Sequence, residues 1–179
     1  PAAAAARAAA AKMDFTGAVE LVTRLARAYP QSVRLTEALR VQGDALMELA
    51  RFDEAILLFD QILLKAPAGD EAKQALLRKA DCLFALGAGN SLRYQEALEA
   101  YQTLLAENDL APALTLQLHF KAGRCLEKLK RVDEAIDRYY ADVMLRYQDA
   151  RSRGVWFDAT GDSLFVRAAF NVADLYEQK

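Results

Sequence analysis

The chain has 179 residues, 54% of them hydrophobic, with 23 basic side chains interspersed among 25 acidic ones for a formal net charge of −2. Such a balance gathers no basic stripe to recruit nucleic acid, no apolar run approaches the roughly 20 residues that span a bilayer, and no basic segment leads into an apolar one as a signal peptide would. Two cysteines, Cys82 and Cys125, are too few for a disulfide framework.

In chain order, residues 1–12, PAAAAARAAAAK, have a strong helix preference but almost no side chains with which to form a core. Two readings stand for them, the first helix of a first repeat or a stretch written as alanine because its side chains were never identified, and neither carries functional weight. A start on Pro1 rather than Met points to an excised piece of a longer chain. The segment 14–30, DFTGAVELVTRLARAYP, then sets Ala18, Val22 and Leu25 on one helical face and closes on Pro30.

Residues 36–67 hold a complete copy of a repeated unit: Gly43 in a first helix, then Ala55 twelve residues later, Phe59 four beyond that, Ile62, and Pro67 as the stop. Gly43 and Ala55 lack the side-chain bulk that would keep two facing helix backbones apart, while Phe59 lies one turn from Ala55 on the same face. Proline ends the second helix because it has no N–H and disfavours the helical conformation in the residue before it.

The next copy, 73–106, replaces Gly43 by Ala80 and the run RFDEAI by RYQEAL (93–98), and its turn is five residues longer, with AGNSL (88–92) expected as a projecting loop. A fourth, 116–148, carries Gly123, Ala135 and Tyr139, with RVDEAI (131–136) at the turn. The pattern then breaks in a connector, 148–163, that contains Trp156, the single tryptophan, and resumes at 166–179 as a partial repeat with Ala173 in the small-residue position. An unpartnered amphipathic helix there implies a longer array. The periodicity throughout is 3.6 and never 2, so the expected fold is all-α: an α-solenoid of antiparallel helix pairs, with 1–179 as one segment of it.

The small residues Gly43, Ala80, Gly123 and Ala173, the alanines Ala18, Ala55, Ala97 and Ala135, and the large residues Val22, Phe59, Tyr101 and Tyr139 together resemble the tetratricopeptide repeat family. Departures are Leu39, Leu76, His119 and Ala169 where the family has its early tryptophan, and alanine spacings of 37, 42 and 38 residues, stretched beyond the family's length. Stretched repeats with the junction Tyr29, Pro30, Ser32 look like those of bacterial envelope scaffolds, which favours periplasm or cell envelope over cytoplasm. The resemblance implies a right-handed superhelix whose first helices line a concave groove for a peptide, helix or partner subunit. By position that groove holds Arg40, Asp44 and Met47, then Leu77, Asp81 and Phe84, then Phe120, Arg124 and Glu127, and finally Arg167, Phe170 and Asp174. Aromatic and arginine side chains are the usual anchors of interfaces, although Phe84, Phe120 and Phe170 can equally serve packing between repeats. The family's clamp for acidic chaperone tails needs Lys and Asn in this groove and is absent.

Chemistry beyond binding is not indicated, and no metal or cofactor is expected. His119 occupies a position that is apolar in the sister repeats and is expected to pack, and six residues separate it from Cys125, turning the two side chains to different faces. Two cysteines and one histidine do not make a zinc site. The acids of the DEA runs at 53–55 and 133–135 are read as helix-start carboxylates, favoured by the dipole, that cap rather than catalyse. Cys82 and Cys125 are read as core residues that do not bridge. The leading expectation is a non-catalytic interaction scaffold, the alternative a regulatory segment of a larger protein whose enzymatic domain lies outside these residues. The identity of the partner and the oligomeric state are not written in these features.

Overall fold

A computed structural model describes residues 14–107 and 109–179, so the alanine-rich stretch 1–12 lies outside the described residues. The chain divides into two compact units, one ending at Leu86 and the other starting at Gly87, and the division falls at the turn that the sequence lengthens. Among the described residues every regular element is helical.

The first unit comprises α1 (Phe15–Ala28), α2 (Leu35–Glu48), α3 (Phe52–Lys65) and α4 (Asp70–Leu86), each packed against the next in sequence. Asp14 opens α1 by accepting a hydrogen bond from the Gly17 N–H at 2.9 Å. Helices α1 and α3 stop two residues before Pro30 and Pro67, as the restriction on the residue before proline requires. The core is built on the repeated positions: Ala18, Val22, Ala55 and Phe59 are all fully buried, Ala55 and Phe59 among Leu39, Leu46, Ile62 and Cys82, and Val22 against Ala38 and Val41. Gly43 lies against the Phe59 ring so closely that a Cβ there would stand 2.7 Å from Phe59 Cε1. One buried polar group, Gln42, ties α2 to α1 by donating to Thr23 Oγ1 at 2.8 Å.

The second unit comprises α5 (Leu92–Leu105), α6 (Pro112–Lys128), α7 (Val132–Asp137), a π-helical stretch Arg138–Leu145, α8 (Arg146–Ser152) and α9 (Ala159–Glu177). Ala97, Tyr101, Ala135 and Tyr139 repeat the buried pattern, and Gly123 meets Tyr139 as Gly43 meets Phe59, with 2.6 Å between a notional Cβ and Tyr139 Cε1. Gly87 lies under Tyr94 in the same manner.

Both tight turns between paired helices have one design. Ala50 and Lys130 take left-handed backbone conformations, with φ of 56° and 62°, and the following N–H groups of Arg51 and Arg131 reach back to Leu46 and Leu126. The acids after these turns do not cap: Arg51 and Arg131 instead grip Glu54 and Glu134 through two hydrogen bonds each, at 2.6–2.7 Å. Asp53, Glu54, Asp133 and Glu134 all lie in the first turn of their helices, where the dipole favours them, and the two glutamates are in addition held by bidentate ion pairs.

The connector is shorter than the sequence suggests. The second helix of the fourth copy runs on through the π-helical stretch to Ser152, and α9 begins at Ala159 under Asp158, which accepts from the Thr160 and Gly161 N–H groups at 3.0 Å. Residues 153–158 are held down by a stack in which the Tyr147 ring lies 5.0 Å from that of Phe157 and 4.9 Å from that of Phe165. Ala173 is exposed, and the buried small side chain of α9 is Ala168.

Cys82 and Cys125 are fully buried thiols that form no disulfide. Burial pushes the Cys82 thiol up to about 12, aided by the nearby Asp81 carboxylate. Native protein at pH 8 is therefore expected to resist a thiol reagent and to react at both cysteines once unfolded. Rapid labelling of either cysteine in the native state would contradict this placement.

Candidate interaction site

In the first unit α2 and α4 stand side by side, and charged side chains cross between them. Asp44 lies between two arginines, accepting from Arg40 Nη1 of its own helix at 3.0 Å and paired with Arg78 Nε of α4 at 3.2 Å. Burial raises the Asp44 pKa and the two guanidinium groups oppose the rise, so the carboxylate depends on both partners. Arg40 and Asp44 remain about one-third exposed, at 35% and 31%. Met47, Leu77, Asp81 and Phe84 are half-buried along the same helices, Met47 against the core. A cleft of about 320 Å³ opens beside Arg40, between Thr36 and Glu37 of α2 and Glu71 and Gln74 of α4.

In the second unit the first helices are α6 and α9. Phe120 is only 3% exposed, tilted against Tyr139 at 5.5 Å, with the Arg167 guanidinium 4.7 Å above its ring. Its expected use as an anchor is thereby corrected, because α9 covers the ring and leaves Phe120 as the floor under Arg167. Glu127 is also engaged, accepting from the Tyr139 hydroxyl at 3.1 Å, and burial raises the Tyr139 pKa so that the hydroxyl stays a donor. Phe170, by contrast, stands 67% exposed on α9, with Arg167 and Asp174 also exposed. Arg124 is half-buried on α6.

Sequence reasoning missed two features. Arg78 is the cross-helix partner of Asp44, and its signal was its place one turn before Cys82 on α4. His119 does not only pack: its Nδ1 faces Arg138 Nη1 at 3.1 Å and Asp142 Oδ2 at 3.7 Å, with Arg146 Nε on the other oxygen of Asp142 at 3.1 Å. Arginine has only hydrogens to offer, so Nδ1 is the acceptor and the imidazole is neutral. Burial brings its pKa down to about 4, the two arginines adding to the drop and Asp142 opposing it.

Among the described residues no group of three His, Cys, Asp or Glu side chains could hold a metal ion. No helix among them is long and apolar enough to cross a membrane.

Residues 40–90 and 88–144 match the tetratricopeptide repeat family model. Among solved structures, the crystal structure of MamA shares 18% identity over 96% of each chain, with a TM-score of 0.63. MamA from Desulfovibrio magneticus RS-1 shares 18% over 96% of this chain and 89% of its own, with a TM-score of 0.64. The nearly identical TPR-like repeats of a Podosopora anserina kinesin light chain share 16% over 99% of this chain and 90% of theirs, with a TM-score of 0.68. At such identities the likeness shows the fold, an α-solenoid of helix pairs. Among curated proteins none matches by sequence.

Proposed function

Because the chain belongs to the tetratricopeptide repeat family, whose model matches more than half of it, we propose that it is a non-catalytic scaffold that binds a peptide, helix or partner subunit along its first helices. The observation that carries the reading is what those helices keep at the surface. In each unit, side chains that the core does not need tie two first helices together and stay accessible: Asp44 between Arg40 and Arg78, and Arg167 across Phe120 beside exposed Phe170. Apolar contact from Phe84 and Phe170, flanked by charges of both signs that orient the ligand, suits a peptide or an amphipathic helix. Its place in the bacterial envelope belongs to this proposal, supported by the repeat spacing and the junction Tyr29, Pro30, Ser32.

A photo-crosslinking residue at position 170 or 81 is expected to capture the partner in cells, and one at Leu57 or Leu64, exposed on the second helix α3, is not. With the captured partner in hand, Phe170→Ala together with Arg124→Ala should weaken binding by at least about 2 kcal/mol without loss of helicity. Full affinity in that double variant would refute the groove.

A further inference from the structure

The second unit carries an open cleft of about 350 Å³ between the start of α6, helix α8 and the connector, and its lining includes none of Phe120, Arg124, Glu127, Arg167 and Phe170. That is the size of a small recognition pocket. Leu116, Val155 and Phe157 give it an apolar lining, and its charged residues are Arg146, Asp149 and Arg153. The connector is not a loose strap, because Phe157 is buried under Tyr147 and Gly161 leaves room for it, with only 2.8 Å between a notional Cβ there and Phe157 Cβ. Trp156, directly before Phe157 on the connector, is 76% exposed. An exposed indole on an anchored backbone offers a ligand a large apolar face and an N–H donor, with only its own side-chain torsions left to order.

The charges select the ligand. Two guanidinium groups line the cleft against one carboxylate, an excess of one positive charge. Arg146 uses its Nε on Asp142, and Arg153 meets Asp149 through Nη2. Each guanidinium has five N–H donors and is exposed, at 58% and 69%, so both can grip a further carboxylate. Ala111 offers α6 no side-chain cap, and the positive end of that helix adds to the potential at the cleft. The geometry points to a second docking site, distinct from the first-helix groove, that takes a peptide segment carrying an apolar side chain beside an aspartate or glutamate. The apolar side chain enters over Leu116 and Phe157, the carboxylate meets Arg146 and Arg153, and the neighbouring residue of the peptide covers Trp156.

The test titrates the whole chain with an acetylated five-residue peptide of alternating Asp and Leu, followed by amide chemical shifts and by the Trp156 indole signal. Shifts are expected at Thr115, Val155 and Trp156. The same peptide with Asn for Asp should bind about tenfold more weakly, and Arg153→Gln should erase that difference. Trp156→Ala should weaken both peptides. Equal affinity for the two peptides, shifts confined to α2, α4 and α9, or no binding at millimolar peptide would overturn the inference. So would hexanoate binding as tightly as the acidic peptide, which would make the site one for small carboxylates.

Discussion

Replacing Phe59 by alanine is expected to lower the stability of the first unit by about 3–5 kcal/mol, read from the midpoint of a denaturant titration. The ring is fully buried, and it fills the space left by the missing side chain of Gly43. The reciprocal change makes the argument specific. Gly43→Ala gains up to about 1 kcal/mol of helix propensity, yet it sets a methyl 2.7 Å from Phe59 Cε1. Overpacking of that kind costs about 1–3 kcal/mol, so the net effect is a loss. Phe59→Leu in the Gly43→Ala background should restore part of it, because the ring carbons in the way are gone. Strict additivity of the two changes would mean that the helices do not meet at this pair.

Acid should destabilise the second unit through His119, by an amount on the order of 3 kcal/mol when fully developed. The sign follows from where the proton goes. An unfolded chain protonates the imidazole near its ordinary 6.5, whereas the folded one resists until about 4, so stability falls as pH is lowered through that window and is insensitive to this group above it. Protonation would also turn Nδ1 from the acceptor of the Arg138 hydrogen bond into a donor facing a cation. Comparing urea midpoints at pH 7 and pH 4.5 for the native chain and His119→Leu isolates the contribution, since other carboxylates titrate in both. An identical acid dependence in the two proteins would show that His119 is charged in the fold or solvated.

What was legible in the sequence was the pairing of small and large residues. Gly43 with Phe59 and Gly123 with Tyr139 are sixteen residues apart in each case, and helix geometry leaves such a pair little choice but to meet. The surface of the first helices was less legible, because its exposure is set by elements distant in the chain. Phe120 and Phe170 look alike as letters, yet Arg167 of α9 comes to lie over one while the other is left in water. The start of α9 was hidden for another reason: Gly154 and Gly161 suggest one long loop, but Gly154 takes φ of 82° while Gly161 sits inside the helix to make room for Phe157.

One signal was present and easily overlooked. Seven residues after the alanines Ala18, Ala55 and Ala97 come Leu25, Ile62 and Leu104, all apolar, but seven after Ala135 comes Asp142, and the buried residue is Val143. The π-helical stretch Arg138–Leu145 is the physical form of that offset: a wider turn takes up one residue more than an α-turn does. It amounts to a surplus of one residue held in one place. An added residue in an α-helix would ordinarily rotate everything downstream by about 100°, carrying Ala150 away from the surface it covers. Confining the surplus to a few loosened turns restores the phase beyond it and displaces one side chain, Asp142, out of the apolar seam to where Arg138, Arg146 and His119 receive it. One helix of this array thus holds a residue more than its counterparts without losing its stacking, and the surplus surfaces as a polar side chain that two arginines and a histidine receive.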